Sequence, residues 1–133
     1  RNIYSWHQDS AYDGINLDPS NGMVFWIPLV NTSVNNGTLV VCPSSHKESN
    51  YNNLIEAGSE GVSRQISVPL DVVKKYNNIS IPVNAGDGLS MHANLIHKSG
   101  TNTSNKVRFT VLVRFNIITT VDFYLKNRLT SAI

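Results

Sequence analysis

With 133 residues the chain is long enough for one domain with a real core, and its 41% hydrophobic and 15% charged residues are ordinary for a globular protein. Eleven basic and nine acidic residues leave a formal charge of +2, and the basic residues are scattered, which argues against a nucleic-acid or membrane partner. No apolar run has the length of a membrane-spanning helix, and the lone Cys42 excludes an intrachain disulfide and a cysteine-based zinc site.

The chain opens at Arg1 without a methionine and reads as the later part of a longer, cytoplasmic protein. Its asparagines at 31, 36, 78 and 102 begin Asn-x-Ser/Thr triplets, read here as turns. The first informative stretch is Trp6-His7-Gln8-Asp9-Ser10. In extended backbone, residues i and i+2 lie on one side, roughly 7 Å apart, so His7 and Asp9 aim at a common point. Residues 11–22 follow as a turn-rich loop. Met23 to Val30 is a continuous apolar run of strand length, expected to be covered on both faces, with Pro28 marking an edge or bulge.

Asn36-Gly37 is the strongest hairpin signal and predicts that the strand Thr38 to Cys42 pairs with the preceding one. Cys42 at its end reads as a small buried hydrophobe. After Pro43-Ser44-Ser45-His46-Lys47 comes a polar excursion from Glu48 to Gly61, in which 53–57 is read as one helical turn. A short helix is expected over Leu70 to Tyr76, with Asp71 near its start and Lys74 and Lys75 near its end. Ile79 to Val83 is a strand, Leu89 to Lys98 is extended, and Val107 to Ile117 is the longest strand. In that strand Val107, Phe109, Val111, Val113 and Phe115 make one apolar face, and Arg108, Thr110, Leu112 and Arg114 the other. The apolar face needs cover. A C-terminal helix over Val121 to Leu129 supplies some, and helices upstream of Arg1 are expected to complete the layer. Short strands at regular spacing with few helices predict a mostly β fold over 1–133, a jelly roll of the double-stranded β-helix or cupin-like kind.

A histidine and a carboxylate sharing a focus are two members of the 2-His-1-carboxylate triad that holds non-haem Fe(II). The candidates for the third are His46, His92 and His97. His97 ends an extended segment. His92, five positions away, faces the other side of a regular strand unless a bulge at Ala93-Asn94 changes the parity. His46 follows a turn and is read as pinning that loop. If the turn after His97 joins antiparallel neighbours, His97 stands opposite Arg108, about 5 Å away. A guanidinium there would suit the far carboxylate of a metal-chelated dicarboxylic acid. Arg114 is read as a solvated strand arginine.

Several motifs recur in order. They are His7-Gln8-Asp9, Trp26-Ile27-Pro28-Leu29 leading to Asn36-Gly37-Thr38-Leu39, Pro43-Ser44-Ser45-His46-Lys47, and His97-x-Ser99-Gly100-x-Asn102-x-Ser104 followed by Arg108. Together the set resembles the phytanoyl-CoA dioxygenase family of Fe(II)/2-oxoglutarate oxygenases, across nearly all of the first 115 residues. The resemblance implies a double-stranded β-helix with His7, Asp9 and His97 as iron ligands and Arg108 as the 2-oxoglutarate anchor. Trp26 and Ser99 fall where the family places further co-substrate contacts, and Thr110 shares the face of Arg108. The implied reaction uses Fe(II), 2-oxoglutarate and O2, with ascorbate as a reductant, and hydroxylates a small organic molecule or acyl conjugate with release of succinate and CO2. A carboxylate at position 9 favours hydroxylation, because halogenating relatives carry a small residue there. Two departures stand out: Ser44 replaces the glycine usual in its motif, and the family's N-terminal helical region is missing from this sequence. The alternatives are a cupin-like metal enzyme that does not use 2-oxoglutarate and a non-catalytic β-barrel binding module. A zinc hydrolase is disfavoured by the lack of a separate general base.

Overall fold

The computed structural model describes residues 5–12, 22–48, 54–56 and 65–115. Its strands are β1 (Met23–Pro28), β2 (Leu39–Val41), β3 (Leu54–Glu56), β4 (Gln65–Ser67), β5 (Ile79–Ile81), β6 (Leu89–His92), β7 (His97–Ser99) and β8 (Thr110–Phe115). One α-helical turn, α1 (Leu70–Val73), and 3-10 turns at Asp9–Ala11 and Ser45–Lys47 join them. The strands form two antiparallel three-stranded sheets, in the orders β6-β1-β8 and β5-β2-β7, and a separate β3-β4 pair.

The two sheets are layers of one core. Val24 and Trp26 of β1 and Met91 of β6 pack with Leu39 and Val41 of β2, together with Ala93 and the half-buried Ile81, Leu89 and Leu95. A second cluster, Cys42, Val68, Val72, Val73 and Ile96, seats α1, with Trp6 and Tyr76 against it. The architecture is a jelly roll, mostly β with few short helices, as the strand spacing suggested. Cys42 is fully buried, and burial raises its thiol pKa, so it is a packing residue rather than a nucleophile.

The structure corrects several local expectations. Gly37 does adopt a turn conformation, with φ +82°, but β2 does not pair with β1. The connection is too long for a tight hairpin and crosses between sheets as a loop hydrogen-bonded both within itself and to neighbouring turns. In it Asn36 accepts from Ser33 N at 2.7 Å and donates to Asn31 O at 2.8 Å, and Thr32 N donates to Val83 O at 2.8 Å. Residues 54–56 form a strand instead of a helical turn, because pairing with β4 supplies hydrogen bonds that so short a helix cannot nucleate for itself. Helix α1 ends at Val73, and its last residues to Tyr76 continue as turns. In β1 only Val24, Trp26 and Pro28 are buried, so one face of the run is covered rather than both. The outer face of β8 and of the residues leading into it is likewise open among the described residues, with Val107 69%, Phe109 61% and Val111 42% exposed and Phe115 edge-on to Phe25. The expected C-terminal helix lies outside the described residues.

The expected extended run from Leu89 to Lys98 is broken at Ala93-Asn94, where Leu95 N donates to His92 O at 2.9 Å. The chain thus leaves one sheet at His92 and enters the other at His97. At the far end of β7 the backbones crowd. Gly100 N donates to Thr38 O at 2.8 Å, and a Cβ on Gly100 would lie 2.6 Å from that same carbonyl oxygen. Position 44, the departure noted in the sequence, is left-handed at φ 68°, a conformation in which glycine is unstrained and serine is not. The neighbouring Ser45 Oγ accepts from Ile96 N at 2.9 Å and so holds the residue before His97.

Two substitutions test this frame by urea unfolding. Gly100→Ala is expected to lower stability by about 1–3 kcal/mol, because backbone must give way to the new methyl. Ser44→Gly is expected to leave stability unchanged or raise it by up to about 1 kcal/mol, the relief of left-handed strain outweighing the added freedom of the unfolded chain.

Candidate metal centre

His7 and His97 are joined by an isolated antiparallel bridge. His7 N donates to His97 O at 2.9 Å and His97 N to His7 O at 3.0 Å. Directly paired residues project to one side, and the two rings meet with centroids 4.3 Å apart. Just past His7 the chain winds into the 3-10 turn at Asp9–Ala11, pinned to the turn before β7 by Gln8 Nε2 donating to Asn94 O at 2.7 Å and Ser10 N to Ala93 O at 3.1 Å. The Asp9 carboxylate therefore arrives beside the rings, with Oδ1 3.8 Å from His7 Nε2 and Oδ2 3.9 Å from His97 Nε2. One donor atom from each of the three residues lies within 4.8 Å of the others, and all three residues are buried.

The hydrogen bonds select the tautomers. His7 Nδ1 is 2.7 Å from Ser5 O and His97 Nδ1 is 2.9 Å from Leu95 O, and since a carbonyl can only accept, each Nδ1 carries the proton. Each Nε2 then presents its lone pair toward Asp9, the arrangement that backbone carbonyls impose on metal-ligating histidines. Burial, reinforced by the neighbouring His97, pushes the His7 pKa from 6.5 down to about 4, against the raising effects of Ser5 O and Asp9. Burial also lowers that of His97, again opposed by Asp9. Both rings are thus neutral at pH 7, the form that binds a metal. Asp9 Oδ2 is buried and has no hydrogen-bond partner among the described residues. Two imidazole nitrogens and one carboxylate oxygen, all within 4.8 Å of one another, fit a divalent cation. The donor set matches the facial triad with open positions.

The other site residues lie elsewhere. His92 packs its ring 5.5 Å from that of His46, and its Nδ1 accepts from Asn94 N at 3.0 Å, so neither belongs to the three-residue cluster. The expected pairing of His97 with Arg108 does not form. His97 stands opposite Val41 in one sheet, whereas Arg108 leads into β8 in the other. The error was to take a turn between sheets for a hairpin within one. Arg108 instead lies over the indole of Trp26, with its guanidinium carbon 5.2 Å from the ring centroid. Trp26 is buried on the inner face of β1 opposite Leu112, which brings Arg108 to the inner side of that sheet. Thr110 is half-buried opposite Pro28, and Ser99, two residues from His97 on β7, is half-buried opposite Leu39.

The residue that sequence reasoning missed is Arg114. It is exposed, as a solvated strand arginine would be, yet its Nη2 donates to Asp9 Oδ1 at 3.0 Å, a partner the sequence reading did not give it. The signal was present: Arg114 has the same strand parity as Arg108 and stands opposite the buried Val24.

The family model described as "Phytanoyl-CoA dioxygenase (PhyH)" matches residues 2–110. The chain belongs to the phytanoyl-CoA dioxygenase family. It is similar to "Phytanoyl-CoA dioxygenase" of Arabidopsis thaliana, 31% identical over 102 residues covering 77% of this chain and 34% of that protein. It is also similar to "Phytanoyl-CoA dioxygenase, peroxisomal" of Bos taurus, 31% identical over 110 residues covering 82% of this chain and 32% of that one. The chain thus spans about a third of the length of these curated relatives. Among solved structures, EvdO2 from Micromonospora carbonacea var. aurantiaca superposes with a TM-score of 0.67 at 21% identity, covering 86% of this chain and 45% of that one. This likeness shows that the two proteins share a fold.

The depressed imidazoles set a pH dependence for the metal-free protein. Below an unfolded pKa of about 6.5 the unfolded chain binds protons that the folded rings refuse, so the stabilisation present above that value is lost as pH falls toward about 4. Urea unfolding between pH 7.5 and 4.5 should show this loss, with a shallower decline in the His7→Gln, His97→Gln double variant. Equal slopes in the two proteins would contradict it.

Proposed function

We propose that this chain is the core of an Fe(II)- and 2-oxoglutarate-dependent oxygenase that hydroxylates a small organic molecule or acyl conjugate, consuming O2 and releasing succinate and CO2. The observation that carries the reading is the buried meeting of His7, Asp9 and His97, with one carboxylate oxygen lacking a hydrogen-bond partner among the described residues. Membership of the phytanoyl-CoA dioxygenase family supports it, as does the shared fold with EvdO2, which has also been solved complexed with 2-oxoglutarate.

In this reading His7, His97 and Asp9 hold the iron, and three protein donors leave three of six positions open. When bound, the iron supplies the activation of O2 at the expense of 2-oxoglutarate. The protein's contribution is placement. Arg108 offers a planar, two-pronged cation to the far carboxylate of the co-substrate, and its stacking on Trp26 restrains the guanidinium before binding. Ser99 and Thr110 offer hydroxyls along the strands that carry His97 and Arg108. The three donors are buried and would shield a bound metal from water on that side, and a carboxylate at position 9 favours hydroxylation over halogenation.

The test is succinate formation by the full-length protein with Fe(II), 2-oxoglutarate and ascorbate. Asp9→Ala is expected to abolish it, and turnover equal to that of the unmodified protein would overturn the proposal. Arg108→Ala is expected to raise the KM for 2-oxoglutarate by roughly 10- to 100-fold, the effect of losing a charge-assisted hydrogen bond. An unchanged KM would remove Arg108 from the anchor role.

A further inference from the structure

We infer that Arg114 is a positioning residue whose guanidinium occupies Oδ1 of Asp9, leaving Oδ2 as the single oxygen presented to a metal. The inference rests on the metal-site reading above and adds a role for a residue outside the expected site. The two oxygens of this carboxylate are not equivalent. Oδ1 accepts from Arg114 Nη2 at 3.0 Å, whereas Oδ2 is buried without a hydrogen-bond partner among the described residues. The Asp9 side chain is only 3% exposed, and in such surroundings an unsatisfied carboxylate oxygen is costly unless a cation completes it.

The strand explains how Arg114 reaches Asp9. Arg114 alternates with Val113 and Phe115, so it projects to the inner face of its sheet, opposite Val24. Its side chain remains 44% exposed, so it enters the site from the rim and is not itself part of the packed core.

The functional consequence concerns coordination number. A carboxylate binding through both oxygens would take up one of the three positions that co-substrate and O2 require. By holding Oδ1, Arg114 keeps Asp9 to one metal bond and fixes the direction of that bond, as partners of metal ligands commonly do.

The test uses Co(II) as the probe, added to the full chain without 2-oxoglutarate, and reads both its affinity and its visible d–d spectrum. Arg114→Met, which keeps length without charge, is expected to weaken Co(II) binding 10- to 100-fold and to shift the d–d bands. Arg114→Lys should restore part of both. Arg114→Gln, too short to reach Oδ1, serves if the Met variant does not fold. Affinity and spectrum matching the unmodified protein in a folded Met or Gln variant would overturn the assignment while leaving the metal site standing. If His97→Ala binds Co(II) as tightly as the unmodified protein, the metal-site reading fails and this inference with it.

Discussion

The arrangement depends on a two-way backbone bridge between His7 and His97, residues 90 positions apart, at 2.9 and 3.0 Å. A single hydrogen bond would set a distance, but a reciprocal pair also sets which way both side chains point. Gln8 and Ser10 extend the attachment to Asn94 and Ala93, so a four-residue segment is held along its length against the approach to β7. The site is rigid because its ligands sit on hydrogen-bonded backbone, and β7 itself is held by β2 and by the close approach of Gly100 to Thr38.

Burying two imidazoles and a carboxylate together is costly, and the fold meets most of that cost locally. Carbonyls two residues upstream of each histidine take the Nδ1 protons, and Arg114 compensates one oxygen of Asp9. The other oxygen is left over. A polar atom left unsatisfied in a protein interior marks a place where stability has been exchanged for function. Here it lies 3.9 Å from Nε2 of a neutral His97, in a cluster that a divalent cation would complete.

The two arginines on the inner side of the β8 segment divide the labour. Arg108 lies over Trp26 and makes no ion pair among the described contacts, which leaves it open to the anchor role proposed for it. Arg114 is already committed to Asp9. Their even spacing of six residues fits projection to the same side of the segment, Arg108 lying two residues before β8 and Arg114 within it.

The sequence by itself determined the chemistry of the donors and their local geometry. The His7-x-Asp9 spacing pointed to an imidazole and a carboxylate side by side, although Asp9 opens a 3-10 turn and does not continue a strand, the alternation around β8 places its arginines on one side, and the turn-rich spacing of short strands indicates a jelly roll. These features follow from periods of two residues and from turn preferences, which are local. Only the tertiary structure decided which strands are neighbours. Asn36-Gly37 was read as a hairpin and Leu89 to Lys98 as one extended segment, yet both carry the chain from one sheet to the other. That choice rests on burying Val24 and Trp26 against Leu39 and Val41. Local signals do not encode this packing, because each apolar strand could have paired with any other. The same packing carried Arg108 to Trp26 and away from His97, and brought Arg114 to Asp9.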